Sequence, residues 1–500
     1  MSHTPLVETE TLDSRKLGLI GVLMPGVAQI APAFNLFFTT AVMASLAGPS
    51  VPLVFLISMV GMLATALSLA QFSGIYPSAG SFITYISRSL GVKVATAVGV
   101  ITIVGYMIAF AGIYIFAGQY IVANVFAITA TGARTNLLTV LVTIIYGVIV
   151  TVPVIVGLQF GVRITVVLYL IEVAVLLVIS LAIVFQGGTG GLSAAPFAWP
   201  SGTEASNIFI TFGLAVVAFG GFEASAPLAE ETANPRRNVP IGLVGSVLIS
   251  GFLYVLGSYA VISAFGVNNV GAFAKDPNPF ATATVKFLHV STAFAVPFLV
   301  AVFLVSLTSS YISANTQTAR VLFAGARGRL WPKVLDATHP RFKTPWVAVI
   351  CFVAPSIVVG CVMQFVNPSE AGSVLPTLGI FGVVVMYFAT NLALVTQYFR
   401  LRRQGVVKNA ILWVVVPIIG MLVLLIPIWG NLRPNQGGTF NFMPLMSVVL
   451  ILVGIVYTAV FAITRPTVLA AAPALLEGAE AAEGDPEPPG GGLTPGSIML

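Results

Sequence analysis

The sequence predicts an all-α integral membrane protein with about twelve transmembrane helices. Of its 500 residues, 58% are hydrophobic and only 8% are charged, whereas a water-soluble domain has roughly 25% charged residues. A chain so poor in charge cannot cover its exterior with groups that water solvates. Apolar windows of about 18 or more residues recur along the chain, and each is long enough to cross a hydrocarbon core of roughly 30 Å.

These apolar windows are hydrophobic throughout, and this uniform hydrophobicity predicts helices. No water satisfies peptide groups in the hydrocarbon core, so only helices and closed barrels span it. A barrel strand would show about ten residues of alternating hydrophobicity, and the windows lack that alternation. We predict spans at 18–46, 51–72, 93–126, 137–158, 164–185, 206–231, 239–265, 291–325, 345–366, 373–399, 411–430 and 443–464.

The basic residues predict the orientation. With the N-terminus inside, only Arg134, Lys275, Lys286 and Arg433 fall outside, which leaves 18 of the 22 Lys and Arg residues on the cytoplasmic side. Cytoplasmic loops carry such an excess. An odd number of spans would destroy this asymmetry, so it also supports the count of twelve. We expect a multi-pass protein of the plasma (inner) membrane with both termini cytoplasmic.

The predicted domains are a cytosolic tail at 1–16, a twelve-helix domain at 17–464 and a second cytosolic tail at 465–500. The second tail is rich in Ala, Glu, Pro and Gly, so it cannot bury enough apolar surface to offset its ordering entropy, and we expect disorder. The first tail is polar and mixed in charge, and no cleavable signal peptide is expected. Cys351 and Cys361 lie in one apolar span and are expected to pack as small side chains.

Two spans carry the same interruption. Span one has Gly26 and Pro32, and span six has Gly221 and Pro227 at the same spacing. Glycine weakens a helix and proline removes a backbone donor, so both helices are expected to break, the alternative being a simple kink. Matched interruptions in two halves predict a binding site between them. Free amides there suit an anion and free carbonyls a cation, so the pair suits a zwitterion or an amine.

Two carboxylates lie well inside apolar spans: Glu172 in span five and Glu223 at the break of span six. A charge at the bilayer centre costs roughly 2.5–3.5 kcal/mol on insertion scales, so such a group faces the protein interior and is a candidate proton carrier. The alternative for Glu223 is a structural acceptor for the broken backbone. The alternative for Glu172 is a static hydrogen bond between helices.

Polar residues of span eight form a second candidate group. The span contains Thr308, Ser309, Ser310, Ser313, Asn315, Thr316 and Gln317. Ser309 and Ser310 are a possible Na⁺ site, although small polar residues also let helices pack closely. In span three, Tyr106 and Tyr114 are candidates for the wall of a substrate cavity.

No catalytic group, metal site or cofactor is expected. The three histidines, His3, His289 and His339, fall in the tail or in loops without ligand spacing, and no Gly-x4-Gly-Lys-Ser/Thr phosphate loop is present. The sequence therefore does not predict an enzyme. The net charge of +6 follows from where the loops lie, so no nucleic acid is expected. The expected partners are a small molecule and the lipid bilayer, and the oligomeric state is left open.

Three segments resemble the amino acid–polyamine–organocation (APC) superfamily of secondary transporters. Gly221, Phe222 and Glu223 followed by residues 229–240 (AEETANPRRNVP) are similar to its sixth-span signature. Residues 76–85 (YPSAGSFITY) resemble its turn after span two, and residues 319–345 resemble its loop after span eight. The resemblance covers roughly residues 17–464.

The resemblance implies a LeuT-like fold of two inverted five-helix repeats, here about 17–185 and 206–399, with peripheral helices at 411–464 and alternating access around the broken first and sixth helices. It implies that backbone groups of the first break bind a substrate carboxylate and those of the sixth bind its amino group. These positions are Val27, Ala28, Gln29 and Ile30 in the first break and Phe219, Gly220, Gly221 and Phe222 in the sixth. Glu223 matches an acidic residue often found there, and Glu172 lies about where some proton-coupled relatives carry a lysine that substitutes for a sodium ion.

The first break departs from the family, because its usual Gly-Ser-Gly is absent and residues 26–32 read GVAQIAP. The bulkier turn favours an amine, a polyamine or a modified amino acid. We expect a permease that imports an amino acid or related amine by proton symport, with Glu172 or Glu223 exchanging the proton. The alternatives are a substrate/product antiporter, a Na⁺-coupled symporter and, outside the transporters, a nutrient sensor or a channel.

Overall fold

The computed structural model describes residues 17–200, 203–276, 278–405, 407, 409–434 and 436–476. Within these ranges the regular structure is helical, apart from one isolated parallel bridge between Leu17 and Thr232. The predicted cytosolic tail at 1–16 and residues 477–500 of the second tail lie outside the described residues. The all-α fold class predicted from composition is confirmed.

Most of the described chain is α-helical because its long apolar segments must satisfy their peptide groups internally. The α-helices are α1 (Leu19–Ile30), α2 (Pro32–Phe34), α3 (Thr40–Ala47), α4 (Val51–Ile75), α5 (Phe82–Leu90), α6 (Val92–Asn124), α7 (Ala133–Val156), α8 (Leu158–Phe185), α9 (Ala205–Ala218), α10 (Pro235–Phe265), α11 (Val270–Lys275), α12 (Pro279–Leu288), α13 (Thr292–Arg327), α14 (Trp346–Val366), α15 (Ala371–Arg403), α16 (Val416–Leu432), α17 (Met443–Thr464) and α18 (Pro466–Leu475). A π-helix, Asn35–Thr39, joins α2 to α3, and a 3-10 helix, Phe222–Glu231, follows α9.

The described residues contain eleven apolar helical segments long enough to cross a membrane. The first of them, Leu19–Ile75, has 57 residues, and at 1.5 Å per residue it is far longer than a hydrocarbon core of about 30 Å. The chain turns within it at the 3-10 helix Gly48–Ser50. This segment therefore supplies two spans, and the total agrees with the predicted twelve. Helices α5, α11 and α12 lie between the predicted spans.

Helix packing shows the symmetry of a two-repeat fold. In such a fold each of spans one to five corresponds to the span five places later. Spans three and ten (α6 and α15) pack together, and so do their counterparts, spans eight and five (α13 and α8). The pair α1 and α10 likewise corresponds to the pair α9 and α4, and both pairs are in contact. Each contact between the repeats therefore has an equivalent in which the two repeats exchange places.

The contact between α6 and α15 depends on glycine. A Cβ at Gly379 would lie 2.2 Å from the amide nitrogen of Ala109 and 2.3 Å from the carbonyl oxygen of Gly105. No side chain fits there, so the two helix backbones touch. This close approach places Tyr106 of α6 and Tyr387 of α15 on either side of one carboxylate, described below.

The second tail begins differently from the prediction. Disorder was expected from residue 465, but α18 is helical over Pro466–Leu475. Leu469, Ala472 and Leu476 are buried, and the hydroxyl of Ser78 donates to the carbonyl oxygen of Leu476 at 2.7 Å. The prediction is corrected for these residues, because their spaced apolar side chains find a surface on the bundle that composition alone does not reveal.

Candidate functional site

The first break is a single residue wide. Helix α1 ends at Ile30, Ala31 adopts a left-handed conformation with φ 51° and ψ 69°, and Pro32 begins α2. Pro32 has no N–H to continue the helical ladder, and a proline disfavours the helical conformation in the residue before it. Gly26 and Pro32 were both expected to break this span. That expectation is corrected for Gly26, which lies within α1, and the break is set by Pro32.

The second break lies where the sequence predicts it. Helix α9 ends at Ala218, and Gly221 has a φ of 116°, which side chains rarely adopt. The chain then continues as a 3-10 helix that contains Pro227. The carbonyl oxygens of Phe219 and Gly220 accept no hydrogen bond from any residue that the structure describes. The second break therefore presents free acceptors.

The two breaks touch each other. A Cβ at Gly221 would lie 2.8 Å from Cγ of Gln29, so the glycine is required for this approach. Tyr254 donates its hydroxyl to the carbonyl oxygen of Ala218 at 2.7 Å, and Asn35 Nδ2 donates to the tyrosine oxygen at 2.9 Å. Asn35 Nδ2 also lies 2.8 Å from the carbonyl oxygen of Ile30. Asn35 and Tyr254 thus connect the ends of α1 and α9.

Glu223 lies at this junction and is buried among hydrogen-bond donors. Its carboxylate accepts the hydroxyls of Tyr106 and Tyr387 and the amide of Gly221, the last at 3.0 Å. The ring of Tyr387 stacks on Phe222 with 5.1 Å between centroids. A small cavity lies beside these groups, lined by Tyr106, Glu223, Pro227, Gln317 and Met386 among others. The predicted residues Tyr106 and Glu223 therefore share one site.

Glu172 lies at the first break, and its side chain is fully buried. Its Oε1 accepts the amide of Ala33 at 2.6 Å and the hydroxyl of Ser306 at 2.6 Å. Ala33 follows Pro32 at the start of α2, where helix amides lack partners and the dipole is positive. Oε2 has no hydrogen-bond partner among the described residues, and none of them forms an ion pair with this carboxyl. Glu172 thus joins α8, α2 and α13.

The serine hydroxyls of the candidate ion site in span eight form hydrogen bonds to the protein backbone. Ser310 donates its hydroxyl to the carbonyl oxygen of Gln29 at 2.9 Å, whereas Ser309 donates to Ser306 within its own helix. Tyr114 bonds to Asn315 rather than to Glu223 or the backbone of the breaks. Among the residues described here, no group of three His, Cys, Asp or Glu side chains could hold a metal ion.

Four predicted substrate positions are helical. Val27, Ala28, Gln29 and Ile30 belong to α1, so their amides bond to carbonyls one turn earlier. Val27 and Ala28 pack against Tyr169 of α8. These amides are therefore not free to bind a carboxylate, contrary to the expectation carried over from the family. The side chain of Gln29 does face the second break, and its Oε1 is buried without a partner.

Sequence reasoning missed Asn35, Tyr254, Tyr387 and Ser306. Each is an uncharged polar residue in an apolar span, and many such residues only bond to their own helix. Asn35 gave the strongest signal, because an amide three residues after Pro32 is well placed to cap freed carbonyls. Tyr387 gave almost none, since its role depends on how α15 packs against α6.

Beyond the second break, the 3-10 helix ends in two ion pairs that we name the ion-pair lock. Arg320 pairs with Glu231, and both side chains are 1% exposed. Arg327 binds Glu230 through two hydrogen bonds of 2.9 and 2.6 Å. The start of α1 joins the same region, where Leu17 donates its amide to the carbonyl oxygen of Glu231 at 3.0 Å. This end of the site is closed.

Twelve spans with two touching helix breaks define a multi-pass membrane permease of the LeuT-like fold. The chain belongs to the amino acid permease family, whose model matches residues 21–470. It is 25% identical over 442 residues to the low-affinity putrescine importer PlaP of Escherichia coli (strain K12), covering 87% of this chain and 93% of that protein.

Two further relatives come from Bacillus subtilis (strain 168). The branched-chain amino acid permease BcaP is 26% identical over 362 residues, which cover 69% of this chain and 74% of the relative. A methylthioribose transporter is 24% identical over 388 residues, which cover 74% and 80%. The resemblance to the APC superfamily is confirmed, and its members are transporters of small molecules.

Proposed function

We propose that this permease imports an amino acid or a related amine by proton symport with alternating access, across the plasma (inner) membrane and with both termini cytoplasmic. The observation that carries the proposal is the contact between the two breaks, which lies beside two buried carboxyls, Glu172 and Glu223, with no ion pair to a described residue. The names of two relatives, a putrescine importer and a branched-chain amino acid permease, describe the same range of solutes.

The substrate ammonium group is held at the second break. The carbonyl oxygens of Phe219 and Gly220 are free acceptors, and the carboxylate of Glu223 lies one turn further on. An ammonium group has three donors and no acceptor, which matches a site made of acceptors. The hydroxyls of Tyr106 and Tyr387 hold the carboxylate of Glu223 in place.

Glu172 carries the coupling proton. Its Oε1 is occupied by the amide of Ala33 and the hydroxyl of Ser306, whereas its Oε2 has no partner and can take the proton. A buried charge without a partner is costly, so the protonated and ionised forms of Glu172 favour different packings of α2 against α8 and α13. Release of the proton on one side of the membrane then drives the change of access.

Alternating access requires the ion-pair lock to open. The lock closes the end of the site where α1 begins. Related folds move one set of helices against the other around a fixed site at the breaks. Opening of this end separates Glu230 and Glu231 from Arg327 and Arg320, and the substrate leaves on that side.

Uptake by purified protein in liposomes tests the proposal. In Glu172→Gln, the side chain keeps an acceptor for Ala33 but cannot release a proton. We expect uptake driven by a pH gradient to fall to the level of protein-free vesicles, while exchange of internal for external substrate persists. Glu204→Gln, at an exposed carboxyl before α9, is the control and should behave as wild type.

Three results of this experiment would contradict the mechanism. Unchanged pH dependence in Glu172→Gln excludes Glu172 as the proton carrier. Uptake that requires Na⁺ and ignores the pH gradient favours sodium symport, with Ser309 and Ser310 as the first residues to test. Binding of solute without any flux in the wild type identifies a sensor.

A further inference from the structure

We infer that the substrate is a cationic amine without an α-carboxylate, because Glu172 of the chain already fills the place where a substrate carboxylate would bind. The inference rests on the proposed function, since it concerns the same site. It narrows the substrate class from amino acids and amines to amines alone.

The amides at the first break already have hydrogen-bond partners within the chain. The amide of Ala31 donates back to the carbonyl oxygen of Ala28 at 3.1 Å. Pro32 has no N–H. The amide of Ala33 donates to Oε1 of Glu172 at 2.6 Å. The amides of Ala31 and Ala33 are therefore both occupied, although the start of a helix is where an anion would bind.

The second break has more hydrogen-bond acceptors than donors. The carbonyl oxygens of Phe219 and Gly220 have no donor among the described residues. Oε1 of Gln29, a side chain only 7% exposed, is likewise unpartnered. Together with the carboxylate of Glu223, these oxygens outnumber the three donors of one ammonium group. Two unpartnered side-chain atoms of the adjoining cavity can donate, Nε2 of Gln317 and Oγ1 of Thr318. Acceptors still outnumber donors at the junction of the breaks, as a cation site requires.

The charges near the breaks also disfavour a substrate carboxylate. The nearby basic side chains of the lock are already paired, Arg320 with Glu231 and Arg327 with Glu230. A substrate carboxylate at the first break would lie beside Glu172 with no basic group to compensate it. Like charges at close range in a site of low dielectric repel strongly. The chain therefore rejects the carboxylate whenever Glu172 is ionised, and the carboxylate of Glu223 attracts the ammonium group.

The test uses pairs of solutes that differ only in the carboxyl group: ornithine and putrescine, lysine and cadaverine, leucine and isopentylamine. Thermal stabilisation of the purified protein measures binding, and counterflow in liposomes measures transport. Loss of hydrogen-bond partners for a charged group predicts that each amine binds about tenfold or more tightly than its amino acid.

The outcomes separate this inference from the proposed function. If an amino acid binds as tightly as its amine, the inference is overturned and the import proposal stands. If the amines alone stabilise the protein but liposomes show no flux, the inference is supported and the import proposal fails. Preferential counterflow of the amines supports both.

A pair of variants tests the role assigned to Glu172. Glu172→Ala uncovers the amide of Ala33, so we expect the ratio of amine to amino acid affinity to fall about tenfold. Glu172→Gln retains an acceptor for that amide and loses only the charge, so its ratio should fall less than that of Glu172→Ala. An equal ratio in Glu172→Ala and Glu172→Gln would overturn the role. Because a ratio does not depend on the folded fraction, partial misfolding does not obscure it, and the solute pairs on wild type decide the substrate class alone.

Discussion

At the scale of single residues, the orientation of Glu223 depends on two tyrosines from different helices. Tyr106 comes from α6 and Tyr387 from α15, and both donate to the carboxylate. The ring of Tyr387 also packs flat on Phe222. Its hydroxyl therefore forms a hydrogen bond to the carboxylate of Glu223, while its ring packs in the hydrophobic core. The two contributions can be separated by one substitution.

We predict that Tyr387→Phe weakens substrate binding about tenfold or more, because a hydrogen bond to a charged group is worth about 1.5–3 kcal/mol. Thermal stability should change little, since the stacked ring remains. Tyr457→Phe, which loses a 2.7 Å hydrogen bond to the carbonyl oxygen of Leu330 away from the breaks, is the matched control. Equal substrate affinities in the two variants, measured by thermal titration, would contradict a role for Tyr387 in the site.

Sequence reasoning identifies the carboxyls but not their partners. Glu172 and Glu223 are recognisable because a carboxyl in an apolar span is costly. Tyr387 and Ser306 are ordinary residues of such spans, and only the packing of α15 and α13 brings them to those carboxyls. A rare residue can thus be predicted from one sequence, whereas a common one gains its role from tertiary contacts.

At the scale of helices, Pro32 and Gly26 had different effects. Proline lacks a donor in any environment, so the break at Pro32 could be predicted. Glycine costs a helix only about 1 kcal/mol, and the packing of α1 overrides that cost at Gly26. A Cβ there would lie 2.9 Å from the carbonyl oxygen of Phe222. Gly26 therefore serves the approach of α1 to the second break, which periodicity cannot show.

The backbone contact between α6 and α15 gives a prediction at the same scale. A methyl group at Gly379 would overlap the backbone of Ala109 and Gly105, so Gly379→Ala must separate the two helices. Overpacking of this kind costs about 1–3 kcal/mol. We expect a lower unfolding temperature in detergent and weaker substrate binding, since Tyr106 and Tyr387 move apart.

Gly430→Ala is the control for this prediction. Gly430 lies in α16, and a Cβ there has nothing within 4 Å. Alanine is also the better helix former, so the unfolding temperature should be unchanged or slightly higher. An unfolding temperature of Gly379→Ala equal to that of Gly430→Ala would mean that α6 and α15 pack less closely than the structure shows.

At the scale of the whole molecule, composition and charge predicted the helical class and the number of spans. Both depend on the bilayer as solvent, which acts on every segment in the same way. The meeting of the two breaks was expected from their matched Gly and Pro spacing and from the resemblance to a family. Helix α18 was not predicted, because its stability depends on the surface that buries Leu469 and Leu476. The helical class and the number of spans depend on the solvent and can be predicted from a sequence. A helix such as α18 depends on the surface it packs against and cannot be predicted in this way.

The ion-pair lock connects the whole molecule to its transport cycle. Its two pairs differ in burial: Glu231 and Arg320 are each 1% exposed, whereas Glu230 and Arg327 are 18% and 11% exposed. Removal of one partner from a buried pair costs about 3–5 kcal/mol, because the other charge is left uncompensated. The cost is smaller for a pair that water partly reaches, such as Glu230 and Arg327. The lock therefore depends chiefly on Glu231 and Arg320.

We predict that Glu231→Gln opens this end of the site and that Glu230→Gln has a smaller effect. The reporter is a Thr318→Cys variant, which places a thiol beside the cavity, in a Cys351→Ser, Cys361→Ser background. Glu231→Gln should raise the rate at which a polar thiol reagent modifies that cysteine and lower the unfolding temperature. Equal rates in the two Gln variants would show that the buried pair does not hold the site closed, and alternating access would then need another gate.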